Sequence, residues 1–176
     1  HRGPDEEGLF IDGNIGMGHR RLSIIGLTTG QQPMADATDR FVIVYNGETY
    51  NYEPLRKSLE AKGYSFRTES DTEVVLNLFA EYGPDCVTHM NGLFAFAIWD
   101  KRKKELFIAR DRLGIKPLYF SDNGGRFVFA SEIKSIIRSN QHSAALNPSA
   151  VYEYFLFRAV CGEQTLFDGV HSLLPG

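Results

Sequence analysis

Leu93-Phe94-Ala95-Phe96-Ala97-Ile98-Trp99 is apolar throughout and sits between Gly92 and Asp100. It is far shorter than the roughly 20 apolar residues a membrane helix needs. Its aromatic content and sharp ends read as a β-strand buried on both faces. The charged stretch 100–104 then reads as a turn, with 105–110 returning beside it. A second hairpin is expected from 117–120 and 126–130 around Asp122-Asn123-Gly124-Gly125.

Outward from this centre, short apolar stretches alternate with turn signals. Residues 8–11, 17–25 and 41–45 are the first strand candidates. Residues 52–62 carry Leu55, Leu59 and Ala61 among charges and end at Gly63, the pattern of an amphipathic helix with a glycine stop. Ser70-Asp71-Thr72-Glu73 has the form of a capping box, and Val74, Val75, Leu78 and Phe79 follow at helical spacing. A buried helix is expected over 71–82, broken by Gly83-Pro84, with a short helix to residue 90. Further helices are expected at 132–138 and from Asn147-Pro148-Ser149 through 157, after a polar linker at 139–143. The fold class is α+β, with antiparallel strands and helices outside.

Length and composition bound the function. The 176 residues, 43% hydrophobic and 23% charged, suit one soluble globular domain. A formal charge of -3 offers no electrostatic footprint for nucleic acid or an anionic membrane. Cys86 and Cys161 lack metal-site spacing and do not make a disulfide framework, which fits a reducing cytoplasm. No zinc, P-loop or dinucleotide-binding pattern occurs, and no metal ligand set is assigned.

Four segments carry candidate chemistry. Tyr45-Asn46-Gly47-Glu48 reads either as a tight Asn-Gly turn or as an oxyanion hole, in which an Asn side-chain N–H and a Gly backbone N–H converge on a developing negative oxygen. Gly18-His19-Arg20-Arg21-Leu22-Ser23 alternates His19 and Arg21 against Arg20 and Leu22. It is either an edge strand with solvated arginines or a strand whose Arg21 grips a carboxylate in bidentate fashion. Asp71 is either a first-turn acid facing the helix dipole or an acceptor for a ligand ammonium. Arg110-Asp111-Arg112-Leu113-Gly114-Ile115-Lys116-Pro117 reads as a structural, salt-bridged turn, and Cys86 as an inert core thiol.

Taken in order, His1-Arg2-Gly3-Pro4-Asp5, Gly18-His19-Arg20-Arg21-Leu22-Ser23, Gln32-Pro33-Met34, Tyr45-Asn46-Gly47-Glu48-Thr49-Tyr50-Asn51 and Ser70-Asp71-Thr72-Glu73-Val74 resemble the class II glutamine amidotransferase domain of asparagine synthetases. Asn91-Gly92 through Asp100, Ala109-Arg110-Asp111-Arg112-Leu113-Gly114-Ile115-Lys116-Pro117-Leu118-Tyr119 and Ala130-Ser131-Glu132-Ile133-Lys134 continue the match. The resemblance implies an αββα sandwich of the N-terminal-nucleophile hydrolase type, with two antiparallel sheets between helical layers. It implies hydrolysis of glutamine to glutamate and ammonia. A mature N-terminal Cys attacks the side-chain amide, its own α-amine is the base, and a thioester forms and is resolved by water.

Carried over by position, Asn46 and Gly47 form the oxyanion hole, Arg21 holds the substrate α-carboxylate, and Asp71 holds its α-ammonium with Glu48 nearby. Residues 1–138 are expected to be the amidotransferase domain without its opening strand. Residues 139–176 are expected to be a linker and the start of a synthetase domain that uses ATP and Mg²⁺ to amidate aspartate. No cofactor is expected within 1–176, and a homodimer is compatible with the resemblance. Loss of the synthetase domain is expected to bare residues 154–157. The chain opens on His1 rather than Met, so the nucleophile is expected in a segment before it, and these residues alone are expected to lack glutaminase activity. A scaffold domain without a nucleophile is the alternative. Pro4 speaks against a sugar-phosphate or purine branch. Thr49, where the family usually has Ile or Val, is expected to carry little weight.

Overall fold

The computed structural model describes residue 3 and residues 6–21, 30–139 and 144–176, Arg21 by its backbone alone. Two compact units divide at the bond between Ala109 and Arg110. In the first unit, β1 (Glu6–Asp12) and β2 (Ile15–Arg21) form an antiparallel hairpin in which Glu6 pairs with Arg21 and Asp12 with Ile15. β3 (Met34–Ala35), β4 (Phe41–Thr49), β5 (Gly92–Asp100) and β6 (Glu105–Arg110) form a four-stranded sheet in that order. The β4–β5 ladder is the spine, running in unbroken register from Phe41 opposite Asp100 to Thr49 opposite Gly92.

The period of two in a strand sorts the residues of this ladder onto two faces. Phe41, Ile43 and Tyr45 on β4, with Phe94, Phe96 and Ile98 on β5, bury one face in the main core. Val42, Val44, Ala97 and Trp99 belong to the other face and are buried as well. The continuous apolar run 93–99 is therefore a strand covered on both sides. The hairpin reaches this spine at two described points: the Trp99 indole N–H donates to Asp12 at 2.8 Å, and His19 Nε2 donates to the Tyr45 carbonyl at 3.1 Å.

α1 (Tyr52–Ala61) packs on α2 (Asp71–Tyr82), and α2 packs under β4. Every residue of α2 from Asp71 to Phe79 is buried, so its Val74, Val75, Leu76 and Leu78 each contribute about 1.5–3 kcal/mol by leaving water. Ser70 caps it through its hydroxyl, which accepts from Thr72 N–H at 3.2 Å, and Gly83 ends it at φ 60°. The expected capping box forms only in part. Glu73 does not reach back to the Ser70 amide, which donates instead to Thr68 Oγ1 at 3.2 Å. The Glu73 carboxylate accepts from Arg67 N–H at 2.9 Å, Thr68 N–H at 2.7 Å and the Thr68 hydroxyl at 2.7 Å, clamping the loop before the helix. A 3₁₀ turn at Gly83–Asp85 and the one-turn α3 (Cys86–His89) complete this layer.

Arg40 and Asp100 lock the far end of the spine. The guanidinium donates from Nε at 3.2 Å to both carboxylate oxygens and from Nη2 at 2.6 Å to Oδ2. This fork, aided by the Arg102 and Lys103 amides and opposed by desolvation, holds the Asp100 pKa down at about 2. A carboxylate whose pKa falls on folding adds stability above its unfolded value of about 4, and that stability drains away as pH falls toward 2. Arg40→Gln should therefore move the acid-unfolding midpoint to higher pH, read by circular dichroism. An unchanged midpoint would show that the pair contributes nothing.

In the second unit, β7 (Tyr119–Asp122) lies between β8 (Phe127–Ala130) and β9 (His171–Ser172), all antiparallel, with α4 (Ile133–Arg138) packed on β7 and β8. α5 (Pro148–Phe157) starts at Asn147, whose side chain accepts from Ser149 and Ala150 amides. Ala150 is buried, whereas Tyr154 to Phe157 are exposed, as expected. The 110–117 turn is tied together by bonds to main chain, and Arg110 also donates to the Ser172 hydroxyl at 3.1 Å. The buried Asp111 carboxylate accepts from Leu113, Ile115 and Lys116 amides at 3.0–3.1 Å, while Arg110 donates to the Lys116, Gly114 and Leu173 carbonyls.

Candidate active site

Asn46 and Gly47 lie within β4, opposite Ala95 and Phe94, and the strand continues to Thr49. The Asn-Gly pair does not turn the chain. Its glycine is required by close approach: a Cβ at Gly47 would sit 2.4 Å from the Leu93 carbonyl oxygen and 2.8 Å from the Phe94 Cα.

Parity along β4 shows where its peptide groups point. The Tyr45 N–H donates to Gln32 Oε1 at 2.6 Å, and the Tyr45 carbonyl accepts from Gln32 Nε2 at 3.1 Å. The Thr49 N–H donates to Asp71 Oδ2 at 3.0 Å. Residues 45, 47 and 49 project their N–H groups to the same edge of an extended strand. β3 pairs with β4 only at Ile43 and Val42, and no other described strand lies on that edge. The Gly47 N–H therefore faces the open edge between two neighbours already taken by Gln32 and Asp71.

Asp71 begins α2, almost fully buried, and meets β4 through Thr49. Its pKa is raised, first by desolvation and further by the charge of Glu48. The Thr49 and Thr72 amides and Tyr45 pull the other way. Glu48 is exposed beside it. Two carboxylates here make a place suited to a cation, next to an outward N–H suited to a developing oxyanion. Asn46, Gly47, Glu48 and Asp71 are thus brought together. The Arg21 side chain lies outside the described residues, as do His1, Arg2, Pro4, Asp5, Leu22 and Ser23; the Arg21 backbone pairs with Glu6. Arg20 is exposed and meets Glu7 at 3.2 Å, while His19 turns inward to Tyr45, the alternation expected of that strand.

Other residues join the site without a signal in local sequence. Tyr45 is buried, its hydroxyl bonds Thr49 Oγ1 at 2.9 Å, and burial followed by the Asp71 charge pushes its pKa up. Thr49 therefore does more than a Val or Ile would. Gln32 Nε2 also donates to Thr72 Oγ1 at 3.3 Å. A cavity of about 380 Å³ lined by Glu6, Glu7, Gly8, Gln31, Gln32 and Pro33 shares only Gln32 with the site, so the chemistry is placed by the polar groups and not by this hollow. Burial raises the Cys86 thiol to about 12, which leaves it inert at neutral pH.

Residues 1–176 match the family described as the glutamine amidotransferase domain. The chain is 44% identical over 177 residues to glutamine-hydrolyzing asparagine synthetase 3 of Bacillus subtilis (strain 168), covering 99% of this chain and 29% of that protein. It is 40% identical over 178 residues to amidase chyE of Penicillium rubens, covering 100% of this chain and 26% of that protein. Among solved structures it resembles the glutamine phosphoribosylpyrophosphate amidotransferase from B. subtilis complexed with ADP and GMP. The TM-score is 0.57 at 28% identity, over 69% of this chain and 28% of that one. The chain spans less than a third of the length of each of these two curated relatives.

Proposed function

The chain belongs to the glutamine amidotransferase domain family, and from that premise we propose that it hydrolyses the side-chain amide of glutamine within a longer, asparagine-synthetase-like protein. Its fold is the antiparallel α+β fold of the N-terminal-nucleophile hydrolases. The observation that carries the proposal is the edge of β4, where an outward Gly47 N–H stands beside Asn46 and two residues from the Thr49 N–H that anchors Asp71.

The reaction asks for those groups in that order. A cysteine thiol at a mature N-terminus gives its proton to its own α-amine and forms a C–S bond to the amide carbon. The amide oxygen takes up the displaced electron pair, and the Asn46 side chain and Gly47 N–H stabilise it. The C–N bond breaks, the leaving nitrogen takes the proton as ammonia, and water cleaves the thioester to glutamate. Arg21 holds the α-carboxylate, and Asp71 and Glu48 hold the α-ammonium. Cys86 is excluded as the thiol by its burial and raised pKa.

Residues 1–138 make up the amidotransferase domain, and 139–176 lead into a synthetase segment that amidates aspartate with ATP and Mg²⁺. The setting is the cytoplasm; no described helix is long and apolar enough to cross a membrane. In the full-length protein, Asn46→Ala should lower kcat for glutamate and ammonia release by about 10²–10³-fold while KM for glutamine moves little. Unchanged kcat, or a wild type that releases no glutamate, overturns the reading.

A further inference from the structure

The β3–β4 register, Met34 opposite Ile43 and Ala35 opposite Val42, would place Gln32 opposite Tyr45 if it continued. The strand does not continue. Instead the Gln32 side chain supplies the next rung, its Oε1 accepting from the Tyr45 N–H at 2.6 Å and its Nε2 donating to the Tyr45 carbonyl at 3.1 Å. A primary amide matches a peptide group in both donor and acceptor, so it can close one rung and end the sheet there. The same Nε2 donates to Thr72 Oγ1, adjacent to Asp71.

We infer that Gln32 is a positioning residue for glutamine hydrolysis: a side-chain rung that stops strand pairing one residue before Asn46, keeps the Gly47 N–H facing the open edge, and ties β4 to the first turn of α2. A backbone rung in its place would carry strand pairing on toward Gly47, and an apolar side chain would leave the Tyr45 amide without an acceptor. His19 Nε2 also donates to the Tyr45 carbonyl, so that oxygen keeps a partner when Gln32 is changed, and the Tyr45 N–H is the group that reports the loss.

This inference rests on the glutamine-hydrolysis reading, and the test separates the two. In the full-length protein, hydrogen exchange at the Tyr45 amide and steady-state glutamine hydrolysis are measured for wild type, Gln32→Leu and Gln32→Glu. Gln32→Leu should speed Tyr45 exchange and lower kcat by about 10–100-fold, since small misplacement of a reacting group costs up to about 10²-fold. KM should rise less than about threefold. Gln32→Glu, close in shape, keeps the acceptor but loses the donors, so Tyr45 stays protected while kcat still falls; it serves if Gln32→Leu fails to fold. Unchanged Tyr45 exchange in Gln32→Leu, or faster exchange with unchanged kcat, overturns the inference. A wild type without glutamine hydrolysis overturns the function reading instead, and faster Tyr45 exchange would then support the rung alone.

Discussion

Gly47→Ala should destabilise the full-length protein by about 3 kcal/mol and abolish most glutamine hydrolysis, because the added methyl has nowhere to go. Its Cβ would lie 2.4 Å from the Leu93 carbonyl oxygen, 2.8 Å from the Phe94 Cα and 2.9 Å from the Phe94 Cβ. The first two are backbone atoms of the paired strand, so relief requires the β4–β5 ladder to open rather than a rotamer to change. That ladder is the spine of the first unit, with both faces buried, and little slack is available. Under the proposed function, opening it at residue 47 also swings the Gly47 N–H and Asn46 away from where the oxyanion would develop. The two effects separate in measurement: thermal unfolding reads the first, and kcat below the permissive temperature reads the second. Gly16→Ala is the control, since nothing lies within 4 Å of its Cβ, and it should stay within about 0.5 kcal/mol of wild type. Equal behaviour of the two variants would refute the close-approach explanation of Gly47.

This glycine also shows how far the sequence carries. Elements set by local chemistry were legible: Ser70 and Gly83 bracket α2 at the residues expected, and the unbroken apolar run at 93–99 announced a strand covered on both sides. Asn46-Gly47 carries the Asn-Gly turn signal, yet it lies mid-strand. What decides it is the backbone of Leu93 and Phe94, more than 40 residues away, which a local window does not contain. The alternating charges of Arg110-Asp111-Arg112 mark a structural turn but do not reveal its backbone partners. The burial that turns Asp111 toward three backbone amides is set by the tertiary fold.

The site divides along the same line. Asn46, Gly47, Glu48 and Asp71 could be picked out by residue type and by resemblance, and the fold brings them together. Gln32 could not be given a role. Its partners lie 13 and 40 residues away, and a polar residue before a proline has no periodicity to mark it. Thr49 looks interchangeable with Val or Ile on a strand; its hydroxyl finds a partner only because Tyr45 is buried within reach.

Glu73→Ala should cost about 2–4 kcal/mol, a large effect for a residue that touches no substrate. Glu73 is 3% exposed, and its carboxylate takes three donors from Arg67 and Thr68, each a charge-assisted bond whose loss strands a partly buried donor. A reciprocal capping box would make Glu73→Gln nearly neutral, because glutamine closes the same box. The clamp seen here predicts otherwise. A single amide oxygen cannot take the place of two charged ones, and its NH₂ would face other donors, so Glu73→Gln should still cost about 1–2 kcal/mol. Ser70→Ala, which removes only the accepted bond from Thr72, should cost about 1 kcal/mol. Denaturant unfolding of the three variants therefore ranks Glu73→Ala above Glu73→Gln, and a neutral Glu73→Gln would restore the capping-box account. The loop that Glu73 clamps leads directly into Asp71. If Asp71 holds the α-ammonium as proposed, loosening the loop should raise KM for glutamine more than it lowers kcat, because such a contact holds in ground state and transition state alike and uniform binding appears in KM.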